Sequence, residues 1–320
     1  MSNDLERGTV GDRPASGPTT SYVVTHRTAY RYAVPVSDAY TMTCLLPRDR
    51  SIQRVLGASL DVRPEPNEYD DRTDVFGNRV VQVGVHRRHD EFEVVATSRV
   101  EVRPQPVPST PLTWEDVAGR CTALQGARAI RVGPYRAVTP SSMPADGGAE
   151  LDELASAVFT PGRPIVESLR ALSHLIFAEF SFDPTATDWA TPLDDVLRHR
   201  RGVCQDFAHL AIAACRSRGL AAAYISGYIE TDPPPGEVKS IGADASHAWC
   251  SVWIPGENEA GDVGREWFDL DPTNDQVPPH RHVTVGWGRD YSDVAPVRGV
   301  VIGPNSTQSM EVSVDVRRIE

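Results

Sequence analysis

Between Tyr22 and Val102 hydrophobic and polar positions alternate, and β-branched and aromatic residues are frequent. The stretch Tyr22–Tyr32 reads as a strand. Phe76-Gly-Asn-Arg79 supplies a turn, Arg79–Val85 follows as a second strand, and Phe92–Val102 alternates again. Helical periodicity is nearly absent here, so the pattern predicts an antiparallel sheet domain. From Pro104 to Gly148 the chain turns rich in Pro, Gly and Ser, with room for a short helix near Trp114, and reads as a long connector.

At Leu151 the period changes. Leu151, Leu154, Ala155 and Val158 keep helical spacing, and Pro164 opens a stronger helix with Ile165, Leu169, Leu172 and Ile176 on one face. A further helix is predicted from about Val203 to Arg218, with Phe207, Leu210, Ala211 and Ala214 as its apolar stripe and Gly219 as its stop. Strand-like runs follow at Ala222–Ile229, His247–Ile254 and Glu266–Leu270, with the insert Thr231-Asp-Pro-Pro-Pro-Gly236 after the first, and Met310–Val316 alternates as a last strand. Helices followed by a run of strands predict an α+β domain. The expected division is a flexible tail over residues 1–20, a β-rich domain with its connector over 21–150, and a second domain over 151–320.

The composition narrows the function. The 320 residues carry a net charge of -12, with 40% hydrophobic and 24% charged. That balance disfavours a nucleic-acid partner, because phosphate binding needs basic surface, and it disfavours adhesion to an anionic membrane. Met1–Thr20 is polar and has no signal-peptide pattern, which leads to the expectation of a cytoplasmic protein. The five cysteines, Cys44, Cys121, Cys204, Cys215 and Cys250, are odd in number and scattered, unlike a disulfide framework.

Three segments carry chemistry. In Arg201-Gly-Val-Cys-Gln-Asp-Phe-Ala-His209 the glycine places Cys204 in the first turn of the predicted helix. The dipole and free N–H groups there favour a thiolate; a buried structural cysteine is the plainer alternative. In Ala245-Ser-His-Ala-Trp-Cys-Ser-Val-Trp253, His247 opens an apolar strand and is placed to relay a proton, or is simply a half-buried histidine. In Glu266-Trp-Phe-Asp-Leu-Asp-Pro-Thr273, Asp271 is placed at a strand end to accept the Nδ1–H of His247, or marks an Asp-Pro turn. Asp269, two residues earlier, shares its face if the strand continues, so periodicity leaves both carboxylates open. Cys204, His247 and an aspartate thus line up as nucleophile, base and orienting group.

Gly202-Val-Cys-Gln-Asp-Phe-Ala-His209, Ser246-His-Ala-Trp249 and Leu270-Asp-Pro-Thr-Asn274 resemble the three core motifs of the bacterial transglutaminase-like superfamily. Thr25-His-Arg-Thr-Ala-Tyr-Arg-Tyr32, Leu46-Pro-Arg48 and Phe76-Gly-Asn78 resemble that family's N-terminal β domain, and Arg289–Gly299 its tail. The resemblance implies a papain-like core, in which a cysteine-bearing helix packs on an antiparallel sheet, preceded by a β-rich domain. It implies Cys204 as nucleophile, His247 as base and acid, and Asp271 rather than Asp269 as third member. Trp267 matches an aromatic that precedes that aspartate by four residues in relatives. Gln205, Asp206, His209 and Trp249 are the further candidates to brace the site or touch substrate, with Asp206 and His209 read first as bracing or helix-capping groups and Trp249 first as core. Relatives often carry Tyr where this chain has Phe182, and a phenyl ring donates no hydrogen bond.

The expected activity is acyl transfer through a thioester on a protein or peptide substrate, with peptide or amide hydrolysis favoured because water needs no dedicated site. Transglutaminase-type cross-linking is one alternative and a non-catalytic peptide-binding module another. No cofactor is expected. A zinc site assembled from Cys204, His209, Cys215, His247 and Cys250 is disfavoured because these residues lack paired ligand spacing. Oligomeric state is left open by the sequence.

Overall fold

The computed structural model describes residues 18–144, 148–187, 191–231, 244, 246–256, 266–304 and 307–319. The chain opens with six strands: β1 (Thr20–Val36), β2 (Asp38–Leu46), β3 (Gln53–Arg63), β4 (Glu68–Thr73), β5 (Arg79–Val85) and β6 (His89–Val102). Helices α1 (Trp114–Thr122), α2 (Gly126–Val132), α3 (Ala149–Val158) and α4 (Ile165–Glu179) follow. Short β7 (Ser181–Phe182) and β8 (Arg201–Gly202) flank α5 (Leu193–His199), and α6 (Cys204–Ser217) leads into β9 (Ala222–Ile229), β10 (Ser246–Trp253), β11 (Trp267–Leu270) and β12 (His282–Gly288). The chain closes with β13 (Val297–Ile302) and β14 (Gln308–Ile319).

Three four-stranded sheets are built from these, in the orders β14-β1-β6-β3, β13-β2-β5-β4 and β11-β10-β9-β12, and every neighbouring pair within them runs antiparallel. The first two sheets form a sandwich over one apolar cluster that includes Leu45, Val81, Val83, Phe92 and Val94. The third packs against α6, as the α+β expectation requires. From Asp206 to Arg216 every residue of α6 is buried, not just the stripe that its periodicity predicts. The helix is central: α3, α4 and α5 pack on one side and β9 and β10 on the other, and alanines at 208, 211, 213 and 214 allow the close approach. Arg216 survives burial because its guanidinium donates to the carbonyls of Tyr135, Ala222 and Arg289 and to Ser142 Oγ.

The expected division at residue 150 does not match the strand pairing. Residues 297–319, assigned from sequence to the second domain, complete the N-terminal sandwich: β13 pairs with β2 and β14 pairs with β1 along twelve residues. Sequence distance hides such pairings, because edge strands recruit partners by register and not by order. The presumed connector also folds. Thr113 caps α1 in a reciprocal capping box with Asp116, and Val117, Cys121, Val132 and Tyr135 are buried in the same apolar cluster as α4, α6 and β9–β12. Tyr22 and Val24 of β1 and Val314 and Val316 of β14 join that cluster, so sandwich and helical core share one interior. Residues 232–236 of the Pro-rich insert and residues 1–17 of the tail lie outside the described residues.

Candidate active site

Cys204 is the first residue of α6, and a glycine precedes it by two for a steric reason. A Cβ on Gly202 would sit 2.7 Å from Asp206 Oδ2. That carboxylate accepts from the backbone N–H of Val203 at 2.8 Å and from Thr187 Oγ1 at 2.6 Å, which makes Asp206 the cap of the helix start. The N–H of Cys204 lies in the first turn, where no carbonyl four residues back can take it. Cys204 is partly exposed, whereas Cys44, Cys121, Cys215 and Cys250 are buried, and all five are free thiols. Burial pushes the Cys44 and Cys215 thiols up to about 12 and raises Cys121 and Cys250 as well. Gln205, next in the turn, is partly exposed.

His247 stands on β10 and Asp271 just past the end of β11, on adjacent antiparallel strands. His247 Nε2–H donates to Asp271 Oδ2 at 2.9 Å, with 7% and 0% of the two side chains exposed. The sequence expectation put Nδ1 in this role. The structure uses Nε2, which leaves Nδ1 as the ring nitrogen not bonded to Asp271. Nε2 lies on the far side of the ring from Cβ, and through it the ring reaches from β10 to the end of β11. Burial alone would lower the His247 pKa, but hydrogen bonds to Asp271 and Cys204 and the charges of both outweigh it and lift the group to about 10.

Asp271 is among the most densely bonded groups in the protein. Its Oδ2 also accepts from Asn274 Nδ2 at 2.7 Å, Gln276 Nε2 at 3.3 Å and His282 Nε2 at 3.0 Å; its Oδ1 accepts from the N–H groups of Thr273 and Asn274. Desolvation opposes its charge, but the donors from His247 and His282 and their charges hold the carboxyl far below the usual range. The backbone of Asp271 pairs with Gln276, which turns the Asp-Pro-Thr-Asn segment back on itself and aims its N–H groups at the carboxylate.

Asp269 does share the face of Asp271, as period two requires, but it is already bound elsewhere. Arg50 reaches it with two nitrogens at 2.7 and 2.9 Å, Ser251 Oγ donates at 2.6 Å and Trp249 Nε1 at 3.1 Å. Asp269 anchors a buried ion pair.

The remaining candidates separate. His209 accepts from the N–H of Tyr291 at Nε2, stacks 4.8 Å from Tyr224, and is lowered by burial to about 4, so it braces α6 against the tail as a neutral ring. Trp249 is fully buried under His247, with ring centroids 5.9 Å apart. A Cβ on Gly227 would strike the Trp249 ring at 2.6 Å, so glycine there makes room for it. Trp267 lies opposite Trp253, packed between Tyr135 and Trp287, and is a core residue with no surface to offer a substrate. Phe182 is exposed and pairs with Gly202 beside the cysteine turn. Burial, with a smaller contribution from the Cys204 charge, keeps the Tyr224 phenol well above its ordinary value.

The residues of the disfavoured zinc set, Cys204, His209, Cys215, His247 and Cys250, do not form a ligand cluster among the described residues. Among the described residues the grouping of potential ligand atoms is His247, Asp271 and His282, within 4.8 Å of one another. Four side-chain N–H donors already converge on the Asp271 oxygen that a metal would need.

Residues 22–101 match the model of the bacterial transglutaminase-like N-terminal region, and residues 152–272 match that of the transglutaminase-like superfamily. The chain belongs to the transglutaminase-like superfamily. An uncharacterized protein of Mycobacterium tuberculosis is 41% identical over 307 residues, covering 95% of this chain and 94% of its own. An uncharacterized protein of Mycobacterium leprae is 28% identical, covering 92% and 98%. In fold, the chain is similar to a proposed cysteine protease from Cytophaga hutchinsonii, with a TM-score of 0.68 at 21% identity over 93% of this chain and 91% of the other. The superfamily match spans Cys204, His247 and Asp271. Arg50 and His282, which sequence reasoning missed, lie outside it. Their signals were slight: a second arginine after the Leu-Pro-Arg motif, and a histidine opening an apolar strand shortly beyond Asp-Pro. Among the described residues no helix is long and apolar enough to cross a membrane.

Proposed function

We propose that this protein is a cysteine-dependent acyl-transfer enzyme acting on a peptide or carboxamide, with Cys204 as nucleophile, His247 as proton carrier and Asp271 as the group that orients His247. One observation carries the reading: buried His247 bonds through Nε2 to the ionised Asp271 carboxylate, and Cys204, at the start of α6, acts with that carboxylate to raise the ring's pKa.

The chemistry follows from that arrangement. The Cys204 thiolate attacks the carbonyl carbon, and the electron pair moves to the carbonyl oxygen. The Cys204 N–H is the nearest donor for that oxyanion. Collapse breaks the C–N bond as the His247 imidazolium gives its proton to the departing nitrogen, leaving a thioester and neutral His247. Water then attacks the thioester while His247 takes its proton, which releases the carboxylic acid and restores the ion pair. An amine in place of water gives transamidation. Hydrolysis is the favoured outcome, because water reaches any open thioester.

The test combines activity-based labelling of Cys204 with peptide-library profiling of the full chain. On each substrate found, ammonia or amine release is followed with and without a labelled amine. Release without incorporation supports hydrolysis, and stoichiometric incorporation assigns transamidation. Turnover that survives Cys204→Ala sinks the enzyme reading.

A further inference from the structure

The carboxylate that receives His247 receives a second imidazole as well. His282 opens β12, is 4% exposed, and directs Nε2 to Asp271 Oδ2 at 3.0 Å. Its ring is packed edge-on against Trp249 at 5.1 Å and lies 5.6 Å from the His247 ring. Its Nδ1 is buried and has no hydrogen-bond partner among the described residues. A carboxylate only accepts, so the proton of a neutral His282 must sit on Nε2. A second proton on Nδ1 would leave a buried N–H with nothing to meet, at a cost that the bare lone pair avoids.

We propose that His282 is a positioning residue: a neutral imidazole whose Nε2–H holds the Asp271 carboxylate in the orientation that meets His247. This rests on the reading of Cys204, His247 and Asp271 given above. The charges facing His282 are those of Asp271, Asp269 and His247. Burial works first against its protonation, and the His247 charge adds to that, against the two carboxylates. The two rings on one carboxylate therefore divide the work: His247 carries the positive charge, and His282 supplies a hydrogen bond without competing for it. Without that bond the carboxylate turns more freely, the His247 imidazolium is held less well, and the Cys204 thiolate it stabilises forms only at higher pH.

The experiment uses the full chain and needs no substrate. Long-range ¹H–¹⁵N spectra of histidine-labelled protein are recorded between about pH 6 and 9, where an unperturbed imidazole loses its charge. His282 should show a protonated Nε2 and a bare Nδ1 throughout, with His247 protonated on both. The rate of iodoacetamide alkylation of Cys204 is then measured against pH in His282→Phe, which keeps a ring, and His282→Gln, which keeps an N–H at similar reach. The Phe variant should react about tenfold more slowly or worse at neutral pH, in the range seen when partners that orient a functional histidine are lost, with its onset moved to higher pH. The Gln variant should recover most of the rate. A folded Phe variant with the wild-type rate and onset, a Gln variant as slow as Phe, or an Nδ1–H tautomer at His282 each overturns the proposal. Asp271→Asn serves as the control. If it too alkylates like wild type, the underlying reading of the site has failed; if it is slow while His282→Phe is normal, only the role of His282 has. Should the Phe variant not fold, the wild-type tautomer and the Gln variant still decide.

Discussion

Arg50 and Asp269 form a two-pronged ion pair, at 2.7 and 2.9 Å, with 3% and 1% of their side chains exposed. The arginine comes from the segment between β2 and β3, the aspartate from β11 two residues before Asp271. Arg50 also donates to Thr284 Oγ1 and lies 4.7 Å over the Trp287 ring. The nearby Gln53 side chain exchanges two hydrogen bonds with the Thr284 backbone. The segment leading into the sandwich strand β3 is thus bonded directly to β11, which leads to Asp271, and to β12, which carries His282.

Breaking this pair should cost stability before it costs chemistry. Arg50→Met leaves Asp269 ionised and buried without its partner, a loss of about 3–5 kcal/mol. Asp269→Asn leaves the guanidinium in the same position. Urea unfolding should show both losses, while the folded fraction of each variant still alkylates at Cys204. Variants with wild-type urea midpoints would show that the pair does not hold sandwich and core together.

Asp271→Asn should do the opposite in proportion. Turnover on a profiled substrate should fall by about 10⁴, as when a serine-protease aspartate is replaced. The change is not silent for folding either. An amide –NH₂ must face either the four side-chain donors at Oδ2 or the backbone donors at Oδ1. Circular dichroism alongside kinetics separates the two effects. A near-normal rate in Asp271→Asn together with a severe loss in folded Asp269→Asn would transfer the orienting role to Asp269.

Stability should peak between two titrations. His247 is raised from 6.5 to about 10, so its contribution is complete below 6.5 and disappears as pH rises through about 10. Asp271 is depressed from 3.8, so its contribution is complete above 3.8 and disappears as pH falls toward its folded value. Urea midpoints measured across pH should decline on both sides. In His247→Gln the alkaline decline should flatten. An alkaline limb that is unchanged in that variant would place the titrating group elsewhere.

Iodoacetamide at neutral pH should modify Cys204 well ahead of the other cysteines. Those four are buried, with thiols held above their ordinary values. Peptide mapping by mass spectrometry checks the order. Earlier modification of Cys215 or Cys250 in folded protein would contradict both the burial pattern and the assignment.

Truncation after Pro296 removes β13 and β14 and strips β1 and β2 of their outer partners. The shortened chain should be unstable or aggregate through the exposed edges. Proteolysis of the whole chain should spare the segment around α1, whose Val117 and Cys121 are buried. A soluble fragment of residues 151–296 with normal Cys204 reactivity would show that the core stands alone.

The sequence by itself determined the local part of this protein. Helical spacing placed α3, α4 and α6, apolar strand-like runs placed β9 and β10, and Gly202 set Cys204 at a helix start, because these depend on neighbours a few residues apart. It also brought Asp269 and Asp271 onto one face, where periodicity stops discriminating because both obey the same period, and only the family resemblance favoured Asp271. The tertiary structure supplied the physical reason, by delivering Arg50 from 219 residues away to bind Asp269 and leaving Asp271 for the imidazoles. The choice of Nε2 on His247, the second ring at His282 and the return of β13 and β14 to the N-terminal sheets were decided in the same way. Each depends on which distant groups meet when the core closes, and hydrogen-bond partners chosen across hundreds of residues leave no periodic trace in the chain.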